Sequence, residues 1–113
     1  MKNLGDGPYG ADDVAVIAGE LEAIGAEVYP NTEGTRGPHG KLGGWELQRL
    51  WYYWSARSDA GMPESKARKL NKKWFGVVRV DGYAGGKNVE GVVQSYHIDT
   101  PEGLAAFARE AAS

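Results

Sequence analysis

The chain of 113 residues contains no cysteine. That excludes disulfides, thiolate metal sites and cysteine nucleophiles together, and it fits a reducing compartment. Histidine occurs only twice, so the ligand inventory for zinc is too small, and no metal or cofactor is expected. Nowhere does an apolar run approach the ~18 residues of a membrane-spanning helix. The opening Met1-Lys2-Asn3-Leu4-Gly5-Asp6 lacks the apolar core of a signal peptide. A cytoplasmic protein with no membrane partner is the expectation. With 42% hydrophobic and 25% charged residues, the composition is that of a folded domain rather than a disordered one.

What is abundant is glycine, with 17 residues, and four tryptophans in a short chain. The net charge of −2 hides an uneven distribution. Residues 1–35 carry seven acidic side chains against Lys2 alone, whereas residues 64–74 carry Lys66, Arg68, Lys69, Lys72 and Lys73 against Glu64. An acidic first third is followed by a basic middle.

Residues 1–10 read as a flexible lead-in, and residues 11–113 as one α+β domain. Val14, Ile17, Ala18, Leu21 and Ile24 recur at helical spacing, Asp12 and Asp13 suit the positive end of the helix dipole, and Gly25 ends the helix. Ala26 to Tyr29 reads as a short strand stopped by Pro30. Residues 31–44 hold five glycines among fourteen residues and are expected to form a long polar loop.

From Gly44 to Ser58 the spacing predicts a second helix. Leu47, Leu50, Trp51 and Trp54 form one apolar stripe. Trp45, Tyr52 and Ala56 fall on the opposite side, with Glu46, Arg49, Tyr53 and Arg57 on a flank. A second stripe implies a sandwiched helix or a face awaiting a partner. After the turn Asp59-Ala60-Gly61-Met62, Pro63 opens a third helix ending at Trp74, buried along Ala67, Leu70 and Trp74 and cationic outside. Residues 75–81 and 89–98 read as the strands of an antiparallel hairpin, joined by the glycine-rich stretch 82–88. Thr100 and Pro101 cap and open a last helix whose apolar stripe is Leu104, Phe107, Ala108 and Ala111.

The order of elements, with a helix, a glycine-containing turn, a basic helix and a glycine-rich hairpin, resembles the winged helix-turn-helix family from about Ala11 to Ile98. The fold expected is a small α+β domain with three to four helices and a two- or three-stranded antiparallel sheet, winged-helix-like. The resemblance implies that residues 63–74 are a recognition helix and that the loop 82–88 is a wing touching the backbone. Nucleic-acid contacts then fall to Lys66, Arg68, Lys69, Lys72 and Lys73, with Asn71 as base reader and Tyr83 and Lys87 on the wing; DNA is favoured over RNA.

A second function stands beside this one. Trp45 and Tyr52, with Arg49 and Arg57 nearby, are residue types that dominate protein interfaces. They, or the acidic first third facing a basic partner, suit a non-enzymatic interaction module or inhibitor, such as a phage or other mobile element might encode, acting as a monomer or homodimer. No catalytic residue is assigned. The stretch 82–88 departs from phosphate-loop spacing and joins strands, while His97 and Asp99 lack a third ligand and His97 is expected half-buried on a strand.

Overall fold

Along residues 45–50, Trp45, Leu47 and Arg49 point into the protein while Glu46, Gln48 and Leu50 point away. That alternation is the signature of a strand with one buried face. The computed structural model describes residues 4, 9–30, 37–50, 52–74, 83–84 and 87–112, with backbone alone at 59–60, 83–84 and 87–88. Ala11–Ala23 is α1, Glu27–Tyr29 β1, His39–Leu42 β2, Trp45–Leu50 β3 and Tyr53–Pro63 β4. Glu64–Trp74 is α2, Tyr83–Ala84 β5, Lys87–Asn88 β6, Val92–Ile98 β7 and Pro101–Ala111 α3.

The helix expected over 44–58 is therefore a correction: this stretch is the hairpin of β3 and β4. Gly43 and Gly44, with φ of 54° and 81°, form the two-residue turn before it. Both central residues have positive φ, so the turn has the twist that antiparallel strands need. It pairs Leu42 with Trp45, and a second two-residue connection pairs Leu50 with Tyr53. The bulky aromatic side chains that gave a helical stripe on paper are equally good strand formers. The polar residues decide: Glu46, Gln48, Ser55 and Arg57 all face outward from the pleat. Trp51, part of the expected stripe, lies outside the described residues.

Among the described residues the sheet has five strands in the order β1-β2-β3-β4-β7, with every pair antiparallel. This exceeds the two or three strands expected, because β2 arises inside the supposed loop 31–44 and β3 and β4 replace the supposed helix. β5 and β6 form a separate two-stranded ladder across the glycine-rich stretch expected as a loop. The strand expected over 75–81 lies wholly outside the described residues, as do residues 31–36 of the loop. Between Arg57 and Met62 the register of β4 against β7 shifts, so the expected tight turn at 59–62 is a bulge within a strand. Pro63 closes β4 rather than opening α2.

The three helices among the described residues pack on one face of the sheet, in the spatial order α1, α3, α2. α1 lies over β1 and β2 through Ile17 and Leu21, both fully buried. Gly40 on β2 leaves room for Leu21: a Cβ there would stand 2.6 Å from Leu21 Cδ2. α3 begins as expected, with Thr100 Oγ1 accepting from the Gly103 amide at 3.0 Å and Pro101 at its start. Trp45, Trp74 and Phe107 meet edge to face, with centroids 5.6, 5.4 and 5.3 Å apart. Each such pair contributes ~0.5–1.5 kcal/mol beyond its buried area, and the triad joins β3, α2 and α3. Tyr96 of β7 borders it, and burial pushes its phenol up to about 12.

Two stability predictions follow from this packing. A Cβ at Gly103 would sit 1.9 Å from the Trp74 carbonyl oxygen, a backbone atom. Gly103→Ala should lower unfolding free energy by about 1–3 kcal/mol, whereas Gly19→Ala, on the exposed face of α1 with open space around it, should be neutral or stabilising by up to ~1 kcal/mol. Urea denaturation distinguishes them. The folded state also holds the Tyr96 proton to higher pH than the unfolded chain does. The stabilisation is full below pH 10 and is lost as pH rises towards about 12; chemical denaturation at stepped alkaline pH, with tyrosinate absorbance followed alongside, measures it.

Candidate functional site

α2 forms because a run of good helix formers follows Pro63, with Glu64 in the first turn and Lys72 and Lys73 in the last, each sign at the end of the dipole that favours it. Ala67 and Trp74 are buried against the sheet and α3. This leaves Lys66, Arg68, Lys69, Lys72 and Lys73 exposed, as the periodicity predicts. Two of the five are engaged within the molecule. Arg68 Nε donates to Glu64 Oε1 at 3.1 Å one turn earlier, and Lys73 Nζ reaches Glu110 Oε1 of α3 at 3.0 Å. Surface pairs of this kind contribute little to stability, ~0–1 kcal/mol. Lys66, Lys69 and Lys72 have no ion-pair partner among the described residues.

Asn71 does not stand on that cationic face. Its side chain is half-buried, and Oδ1 is enclosed without a hydrogen-bond donor. It is thus turned away from the position a base reader would need, because the helical period places residue 71 beside the buried 67 and 74 stripe. Tyr83 and Lys87 lie on the paired strands β5 and β6, in register with Asn88 and Ala84 respectively, and their side chains are outside what the structure describes.

The four residues expected to form a partner-binding face do not come together. Trp45 is 8% exposed and Arg49 2%, both on the buried side of β3, which is a correction that follows from the two-residue period of a strand. Arg57 is exposed on the opposite face of the sheet, where its Nη2 donates to Gln94 Oε1 at 3.3 Å. Tyr52 is 55% exposed at the β3–β4 connection, its ring edge-on to Tyr53 at 5.3 Å.

The sheet face opposite the helices is a second candidate surface, and no helix covers it among the described residues. One row across the strands reads Glu27, Lys41, Glu46 and Arg57, all exposed and of alternating charge. Beside it run Tyr29, His39, Gln48, Ser55 and His97, all half-buried. Cross-strand ring stacks close both ends, Tyr29 on His39 at 5.4 Å and Tyr53 on His97 at 4.2 Å. A hydrogen bond to Glu27 and burial raise the Tyr29 phenol above its ordinary value. His97 is half-buried on a strand, as expected, whereas His39 belongs to β2 and not to a loop.

No protein-family model, curated protein or solved structure matches this chain. Among the described residues, no three His, Asp or Glu side chains converge on a metal position, and no helix is long and apolar enough to cross a membrane.

Sequence reasoning missed the polar cluster under α1. Trp54 Nε1 donates to Glu20 Oε2 at 2.7 Å, and Arg49 Nε lies 3.5 Å from the same oxygen. Arg49 Nη1 donates to the carbonyls of Leu50 and Tyr53 at 2.7 and 3.0 Å. Burial pulls the Arg49 guanidinium below its ordinary pKa, and Glu20 opposes that shift. Glu20 and Trp54 are 34 positions apart, and no local signal joins them.

These placements separate two aromatic residues that look alike in sequence. Trp45→Ala should cost about 3–5 kcal/mol by opening the aromatic triad. Tyr52→Ala should stay within about 0.5 kcal/mol of the parent, as a surface substitution does. Thermal unfolding of the two variants reads the difference directly.

Proposed function

We propose that the protein binds nucleic acid through the exposed face of α2, by contacts to phosphates rather than by reading bases. The observation that carries this reading is the set Lys66, Lys69 and Lys72, exposed on one helix and unpaired among the described residues. Lysine ammonium groups on a helix of ~16 Å displace counterions from a polyanion and gain the entropy of their release. Such contacts position a strand without carrying sequence information.

Base readout has less support. Arg68 has the planar fork that recognises guanine, but Glu64 already occupies it, and Asn71 is turned inward. Without a helix packed before the turn, α2 also lacks the companion that sets a recognition helix across the major groove. A DNA or RNA backbone, in a duplex or a single strand, is the matching ligand class. A protein partner is the second reading, carried by the exposed Tyr52 at the hairpin connection.

Fluorescence anisotropy with a mixed-sequence duplex and a single strand tests the proposal. Affinity should fall with salt, with a log–log slope near −2.7 on duplex, roughly −0.9 for each of the three unpaired lysines. The triple variant Lys66→Glu, Lys69→Glu, Lys72→Glu should remove binding while changing the unfolding midpoint little. Salt-independent binding, or full binding by the triple variant, would sink the assignment to α2.

A further inference from the structure

Between the end of α1 and the start of α3 lies a cleft of about 320 Å³. Its walls are Ala23 and Ile24 at the end of α1 and Pro101, Leu104 and Ala105 at the start of α3. Thr100 caps α3 and so fixes Pro101 at the rim, while Leu104 is buried. The two alanines keep the cleft open where larger side chains would fill it. A volume at the small end of the ~300–1,000 Å³ typical of ligand sites suits a small molecule rather than a helix.

Among the described residues that line this apolar space, Glu20 alone has a polar side chain. Its Oε2 is taken by the Trp54 indole N–H and faces Arg49 Nε. Its Oε1 has no partner among the described residues, and the side chain keeps 25% of its exposure. The carboxylate charge is already balanced by the fully buried Arg49. A cationic ligand would therefore bring an uncompensated charge into an apolar cleft, and an anionic one would meet Glu20. A neutral hydrogen-bond donor satisfies Oε1 without either cost.

We infer that this cleft binds a small neutral amphiphile, an aliphatic chain ending in a hydroxyl, with the hydroxyl donating to Glu20 Oε1 and the chain against Ile24, Leu104 and the two alanines. This site is independent of the cationic face of α2.

The test is an NMR titration of the full chain with three ligands of equal chain length: 1-hexanol, hexanoate and hexylammonium. The Trp54 indole N–H shares the Glu20 carboxylate, so its resonance reports occupancy. Hexanol should shift it saturably, and the two charged ligands should bind at least about tenfold more weakly. Ala105→Phe, placed on an exposed position that lines the cleft, should weaken hexanol at least about tenfold while leaving the Trp54 resonance of the free protein and the unfolding midpoint nearly unchanged. No saturable shift with hexanol would overturn the inference. So would equal binding of all three ligands, preference for either charged one, or unimpaired binding by Ala105→Phe.

Discussion

The guanidinium of Arg49, with its side chain wholly withdrawn from solvent, sets the constraint around which the first half of the chain is assembled. A buried cation is costly unless its charge and its donors are met. Here Glu20 brings the counter-charge from α1, and the carbonyls of Leu50 and Tyr53 receive Nη1 from either side of the hairpin connection. The same carboxylate holds the indole of Trp54, and the Tyr9 hydroxyl donates to the Arg49 carbonyl at 3.3 Å. Lead-in, first helix and hairpin are thereby tied to one another by groups with directional demands.

The second half is held by shape instead of charge. Trp45, Trp74 and Phe107 meet at nearly right angles, and two backbone approaches keep them in place. The Trp74 carbonyl occupies the space where Gly103 lacks a side chain, and the Ala111 carbonyl does the same at Gly43. α3 is consequently pinned at its start by α2 and at its end by the β2–β3 turn. The cleft lined by Glu20 lies between α1, which Glu20 ties to Arg49 and Trp54, and the start of α3. The cationic face of α2 is a by-product of the same arrangement, since burying Ala67 and Trp74 directs Lys66, Lys69 and Lys72 outward.

Elements whose signals are local were legible. α1 from its 17/21 spacing and Gly25, α3 from Thr100 and Pro101, α2 from its Ala67/Trp74 stripe and β1 before Pro30 stand where the sequence places them within a residue or two, while β7 ends where expected but starts three residues later, at Val92. Residues 44–58 were not, because Leu47, Leu50 and Trp54 satisfy a helical period as well as parts of a strand period. The inward Arg49 masked the alternation that Trp45 and Leu47 begin. Trp45 and Arg49 left the candidate surface because which way a side chain points depends on the element it sits in, whereas Asn71 sits in the expected helix but falls beside its buried 67/74 stripe.

The sequence by itself determined the chain's chemical inventory, the cation cluster after Pro63 and the helices with caps, since composition, periodicity and capping act over a few residues. Only the tertiary structure decided that the aromatic stretch is a hairpin and that the helices share one sheet face. It alone decided, too, that Glu20 meets Arg49 and Trp54. Those outcomes depend on pairings between residues tens of positions apart, whose free energy exists only once the sheet has brought them into register.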